Sequence, residues 1–177
     1  MEMNEKKTNL VTAIIISLIM ALMSYIFIGT GVVYNENLKW MNWLSQIPFL
    51  GGMILHAMNY AKLKDNYVTF GNLFTNCFRV VMMVTIFAIA FSFLSMVIFP
   101  GMKERIIELS YEKMKADPKL NDEQIEVAMQ MTKNYWNLFM IGGIIFGYLA
   151  SGAIYSLIAA AIPKKKGENP FGNVTAA

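Results

Sequence analysis

Polar side chains recur along one otherwise apolar stretch of the sequence, between residues 40 and 61. The only histidine of the chain, His56, is among them, and an imidazole can carry a proton near neutral pH or bind a metal ion. Helical spacing places these polar residues along one face. Polar groups inside a membrane are costly and mark paths for protons or solutes. The candidate polar face comprises Asn42, Ser45, Gln46, His56 and Asn59.

A structural interpretation of the same residues competes with the functional one. His56 can bond to a neighbouring helix, an interaction worth about 1 kcal/mol in a membrane. We favour this interpretation, because no Cys, Asp or Glu stands at metal-ligand spacing from His56. The 15 methionines are scattered and are expected to fill the core. We therefore predict no catalytic residue, no metal site and no cofactor.

A second pattern concerns packing. Gly143, Gly147 and Ser151 repeat every fourth residue, with Gly142 and Gly152 beside them. Small residues at this spacing allow helix backbones to approach closely in a membrane. The sequence predicts a helix-packing stripe here, either within one protomer or between protomers.

The elements that position these residues are predicted from the apolar runs. The chain is 56% hydrophobic and 15% charged, and about 20 apolar residues cross a bilayer as a helix. Four runs have that length, so we predict an all-α integral membrane bundle of four transmembrane helices. The second run is the most polar, and a re-entrant segment is its alternative. The predicted spans are residues 10–33, 40–61, 74–99 and 135–162.

The connector between the third and fourth runs carries its own helical pattern. Asp117 and Pro118 stop a first helix, and Asn121 with Gln124 three positions later forms a capping box for a second. We expect an extramembrane helical hairpin over residues 102–133. A tail over residues 163–177 follows the last span.

Basic residues predict the orientation. Lys6, Lys7, Lys62, Lys64 and the cluster 164–166 flank the spans on one side, whereas the connector after the first span contributes only Lys39. The positive-inside rule then places both termini in the cytoplasm and the hairpin outside. The six basic residues of the hairpin argue against this orientation, although acids accompany them.

Arg79 lies inside the third run, where its side chain can extend to the headgroups. A functional role for Arg79 would need a buried carboxylate partner, and the four runs contain no Asp or Glu. The formal net charge of +3 and the lack of a basic stripe predict no binding to nucleic acid.

Several short segments resemble a known family. They are Thr69-Phe70-Gly71 before the third run, Phe99-Pro100-Gly101 after it, Glu112-Lys113-Met114-Lys115-Ala116 in the hairpin, and the final lysine cluster. Together they resemble the bacterial membrane proteins of domain of unknown function family 4199. The resemblance implies a helical bundle in a bacterial inner membrane and brings no activity, substrate or functional residue.

The sequence contains no nucleotide-binding loop, serine elbow or zinc motif, so we do not expect an enzyme. The leading hypothesis is a scaffold or accessory subunit that contacts a membrane-protein partner, or a second copy, through its hairpin and fourth span. The alternative is a small oligomeric transporter or channel, lined by the polar face of the second span.

Overall fold

The computed structural model describes residues 2–167, apart from the side chains of residues 2–4, 36, 39 and 42. This part of the chain is helical and contains no strand. Two 3-10 segments, Val32–Tyr34 and Glu36–Ser45, lie between the first two α-helices. The α-helices are α1 (Glu2–Gly29), α2 (Gln46–Leu63), α3 (Phe70–Ile98), α4 (Met102–Lys115), α5 (Asp122–Asn134) and α6 (Trp136–Ala161).

Three of these helices are long and apolar enough to cross a membrane: Glu5–Gly29 within α1, Phe70–Ile98 and Trp136–Ala161. They correspond to the first, third and fourth predicted spans. α1 ends at Gly29, earlier than the predicted residue 33, because Gly31 adopts a left-handed conformation with φ of 74° that terminates the helix.

The second predicted span differs from the structure at its beginning. Residues 40–45 belong to the 3-10 segment, and α2 begins only at Gln46. Pro48 explains the difference, because proline has no N–H to donate and is tolerated only in the first turn of an α-helix. α2 is 18 residues long and is not among the helices that meet the length and hydropathy of a span.

α3 is the centre of the bundle and contacts α1, α2 and α6. Glycines allow two of the closest approaches. A Cβ added at Gly52 would lie 2.5 Å from Ile16 Cγ1 on α1, and one added at Gly152 would lie 2.8 Å from Val81 Cγ2 on α3. The fully buried side chains around these contacts include Phe49, Met53, Leu73, Val80, Val81 and Val84.

The basic segments meet at one end of the bundle. Lys64, just after α2, pairs with Glu5 at the start of α1, and this hydrogen bond raises the pKa of the Lys64 amine. The Lys166 N–H donates to the Asn66 carbonyl in the α2–α3 turn (2.8 Å). The start of α1, the end of α2 and the segment after α6 therefore lie together.

The two helices between α3 and α6 form where the sequence predicts them. α4 ends at Lys115, just before Asp117 and Pro118. The capping box of α5 is present: the Gln124 N–H donates to Asn121 Oδ1 (2.8 Å), and the Asn121 N–H donates to Gln124 Oε1 (3.1 Å). α4 contacts α5, and α5 contacts α6.

Candidate functional site

His56 lies in a polar cluster buried between three helices. Only 2% of His56 is exposed. Its Nε2 lies 2.6 Å from Asn76 Oδ1 on α3, and its Nδ1 lies 3.1 Å from Thr12 Oγ1 on α1. Since Oδ1 can only accept, Nε2 carries the hydrogen and donates to Asn76. The ring thus joins α2 to both neighbours.

The remaining hydrogen-bond capacity of the cluster is limited. The Thr12 hydroxyl also lies 2.9 Å from the Thr8 carbonyl, so its single hydrogen is shared between that oxygen and Nδ1 of His56. Within residues 2–167, Asn76 Nδ2 is buried and makes no hydrogen bond. No group of three His, Cys, Asp or Glu side chains in the same part of the chain could hold a metal ion.

The other residues of the predicted polar face differ in burial and in partners. Gln46 Oε1 accepts a hydrogen bond from the Tyr155 hydroxyl on α6 (3.2 Å). Ser45 is half-buried and Asn59 is exposed, while the side chain of Asn42 lies outside the described residues. Among its described side chains, the predicted face therefore contains the buried His56, Gln46 in contact with α6, the half-buried Ser45 and the exposed Asn59.

The predicted packing stripe faces away from the interior of the protomer. Gly143 and Gly147 are exposed, and a Cβ added at either would meet no described atom within 4 Å. The Ser151 hydroxyl donates to the Gly147 carbonyl of its own helix (2.7 Å). Gly152, which was predicted only as a neighbour of the stripe, is the glycine of α6 that packs against α3.

An open groove of about 670 Å³ runs along this stripe. Its floor is α6, and one wall is the start of α2 with the residues before it. Trp43, 74% of which is exposed, stands at the rim. Aromatic and apolar side chains supply most of the lining, which comprises Trp43, Gln46, Phe139, Met140, Gly143, Ile144, Gly147, Tyr148, Ser151 and Tyr155.

A smaller cavity, which the sequence reasoning missed, lies between α1, α3 and α6. Its volume is about 180 Å³, and four serines with two tyrosines supply its polar lining. Ser17 is buried, and its hydroxyl makes no hydrogen bond to the rest of the described chain. In the sequence, this cavity is indicated by serines at helical spacing: two stand seven residues apart on α1, and two stand three residues apart on α3. The polar residues are Ser17, Ser24, Tyr25, Ser92, Ser95 and Tyr148.

α4 and α5 enclose a third feature, a charged cleft of about 1180 Å³. Acidic and basic side chains alternate around it, and Ile125 and Met129 form its buried floor. Lys103 places its Nζ 5.9 Å from the centre of the Trp136 ring, which connects α4 to the beginning of α6. The charged lining comprises Lys103, Glu104, Glu108, Lys115, Asp122, Glu126 and Lys133.

The fold and these surfaces place the chain in the class of α-helical membrane proteins, since three of its helices have the length and hydropathy of membrane spans. The particular family is then shown by sequence: residues 10–165 match the family described as "Protein of unknown function (DUF4199)". The chain belongs to this family. Neither a curated protein nor a solved structure matches it.

Proposed function

We propose that the chain is a scaffold or accessory subunit of a bacterial inner membrane, which binds a transmembrane helix of another protein along the Gly143/Gly147/Ser151 face of α6. The observation that carries the proposal is the orientation of this face. It presents small residues outward beside a groove, whereas His56 and Gln46 of α2 find partners inside the protomer. Small residues let a second backbone approach closely, and that contact drives helix association in lipid.

The pair of helices α4 and α5 supplies the second proposed contact surface. Both helices are amphipathic, with mixed charges around the cleft between them. An ordered element of this kind outside the membrane provides charged groups that can select a partner. We place this hairpin on the outer side of the membrane.

The proposed topology has four crossings with both termini in the cytoplasm. α2 is 18 residues long, which gives about 27 Å at a rise of 1.5 Å per residue, close to the hydrocarbon thickness of about 30 Å. Its end meets the start of α1, and the lysines of both lie together with Lys166. The gathering of these lysines in short segments that flank the helices supports a cytoplasmic location for that end.

The alternative of a transporter or channel lined by α2 receives less support. Such a path needs a hydrated row of polar groups. His56 is instead enclosed and bonded to α1 and α3, whereas Asn59 is exposed at the surface. The α2 residues predicted to line a path therefore do not share one channel.

The groove gives a direct test. We expect Gly147→Leu to reduce recovery of the partner by about tenfold, because overpacking a helix contact costs about 1–3 kcal/mol and 1.4 kcal/mol corresponds to tenfold in affinity. The measurement is gentle affinity purification of the full chain, tagged at its C-terminus, from native membranes, followed by native mass spectrometry.

Gly51→Leu is the matched control, because a side chain there also meets open space but lies outside the groove. It should retain the partner. A stoichiometric foreign protein, lost only in Gly147→Leu, supports the proposal. Recovery of the chain alone contradicts the proposal. Recovery of a homo-oligomer that carries a small molecule also contradicts it and favours the transporter alternative.

A further inference from the structure

A groove on another part of the molecule combines cationic and apolar side chains. It lies between the beginning of α1 and the first half of α3, and its volume is about 520 Å³. Lys6 and Asn9 line it from α1, and Arg79 lines it from α3. The groove shares no residue with the α6 groove, so it does not depend on the proposed partner.

The charges that line this groove are not balanced by the protein. Glu5 also lines it but pairs with Lys64, so that pair adds no net charge. Within the described residues, neither Lys6 nor Arg79 forms an ion pair with a carboxylate. Two positive charges therefore remain at the edge of a bundle whose α3 contains no acid, and an anionic ligand in the groove would balance them.

Below the charges, the groove becomes apolar and faces outward. Arg79, Met82 and Ile86 stand three and four residues apart and share one face of α3. Met82 is 53% exposed and Ile86 is 66% exposed. In a membrane, side chains in this position contact acyl chains directly, so the occupant of the groove is expected to have a charged end and an apolar end.

The depth of Arg79 fits the headgroup region. α3 has 29 residues, a length of about 43 Å, which exceeds the hydrocarbon thickness of about 30 Å. Arg79 is nine residues after Phe70 and lines the groove together with Lys6. Its long side chain can extend from there toward the phosphates of the nearer leaflet.

Asn9 adds a polar group to the same end. It is only 3% exposed, and its Oδ1 accepts no hydrogen bond from the described chain. A buried oxygen without a donor is costly, and a hydroxyl brought by a ligand would satisfy it. A glycerol headgroup carries such hydroxyls beside its phosphate.

We propose that this groove is a binding site for an anionic phospholipid of the phosphatidylglycerol type. Lys6 and Arg79 hold the phosphate, a headgroup hydroxyl donates to Asn9 Oδ1, and an acyl chain follows Met82 and Ile86. Such a lipid would fill the space between α1 and α3 and bind as a fixed component of the bundle.

The test uses the full chain in mixed micelles of phosphatidylglycerol and phosphatidylcholine, with native mass spectrometry to count the bound lipid. We expect phosphatidylglycerol to be retained in preference. Each of Lys6→Gln and Arg79→Gln should lower its retention about 20-fold, and the double variant more, because each removes a hydrogen bond between a charged side chain and the phosphate.

Lys7→Gln is the control, because Lys7 is exposed beside Lys6 but does not line the groove. Its retention should fall by no more than about fivefold, since only the general surface attraction of one basic residue is lost. Arg79 and Lys6 are exposed, so circular dichroism of the variants should match the wild type.

Three results would overturn the proposal: equal retention of phosphatidylcholine, an equal loss in Lys7→Gln, or displacement of the lipid by millimolar glycerol 3-phosphate. The first two indicate non-specific attraction. The third indicates a soluble phosphate as the occupant. Because partner recovery plays no part in this measurement, its failure leaves the proposed function intact, and the converse also holds.

Discussion

Replacement of Gly152 with alanine is expected to lower the free energy of unfolding by about 2 kcal/mol. The added Cβ would lie 2.8 Å from Cγ2 and 3.1 Å from Cβ of Val81, and closer still to Cγ1. Val81 is fully buried and its β-branched side chain is stiff at χ1, so it cannot rotate away. Separation of α3 and α6 costs about 3 kcal/mol, which outweighs the gain in helix propensity of about 1 kcal/mol.

Gly147→Ala is the matched control on the same helix. Because its Cβ meets open space, only the propensity gain remains, and the free energy of unfolding should be unchanged or higher. The measurement is unfolding of the purified protein by titration with a denaturing detergent. If Gly152→Ala is as stable as Gly147→Ala, the close α3–α6 contact is wrong.

A second substitution tests the mechanism of that loss. Val81→Ala removes both Cγ atoms and should itself destabilise the protein, because it opens a small cavity. In the double variant the new alanine methyl fills part of that space. The sum of the decreases in unfolding free energy of the two single variants should therefore exceed the decrease in the double variant. Coupling of this kind is expected for residues in contact.

The long apolar runs predicted most of the helical fold. Three runs became long apolar helices because backbone groups in such a run can be satisfied only within the helix. The capping box at Asn121 and the stop before Pro118 were also confirmed, since both are set by local hydrogen bonding and sterics. The start of α2 was predicted too early, although Pro48 already carried the signal.

The residues of the candidate sites were less predictable, because their neighbours depend on the register between helices. Spacing identified the small-residue stripe but not which glycine packs inside: Gly152 meets Val81, whereas Gly143 and Gly147 face outward. In the same way His56 was found as a polar residue, but nothing local indicates that Asn76, twenty positions later, is its partner.

The cavity between α1, α3 and α6 could not be predicted from its serines either. Ser17 and Ser92 lie on helices distant in sequence yet line one cavity. A serine in a helix can bond to the carbonyl four residues earlier, as Ser95 does to Phe91 (2.7 Å), so a serine within a span does not by itself indicate a site. The Ser17 hydroxyl makes no such bond within the described chain. Only the packing of three helices shows that these serines share a space.

Replacement of His56 with alanine is expected to lower the free energy of unfolding by about 3 kcal/mol. The side chain is enclosed, and its loss leaves a cavity, which costs about 2 kcal/mol at a buried site. It also removes the bonds to Asn76 and Thr12, worth about 0.6–1.7 kcal/mol each between membrane helices. Asn76 would then lose its remaining side-chain partner.

Asn59→Ala is the control one turn away on α2, and because Asn59 is exposed its effect should stay within about 0.5 kcal/mol. A double-mutant cycle of His56→Ala with Asn76→Ala should give a coupling energy of about 1 kcal/mol, since the two side chains share one hydrogen bond. The packing role further predicts that proton flux into proteoliposomes is the same for wild-type protein and for folded His56→Ala. A His56→Ala protein of wild-type stability but with altered flux would instead make the imidazole part of a conduction path.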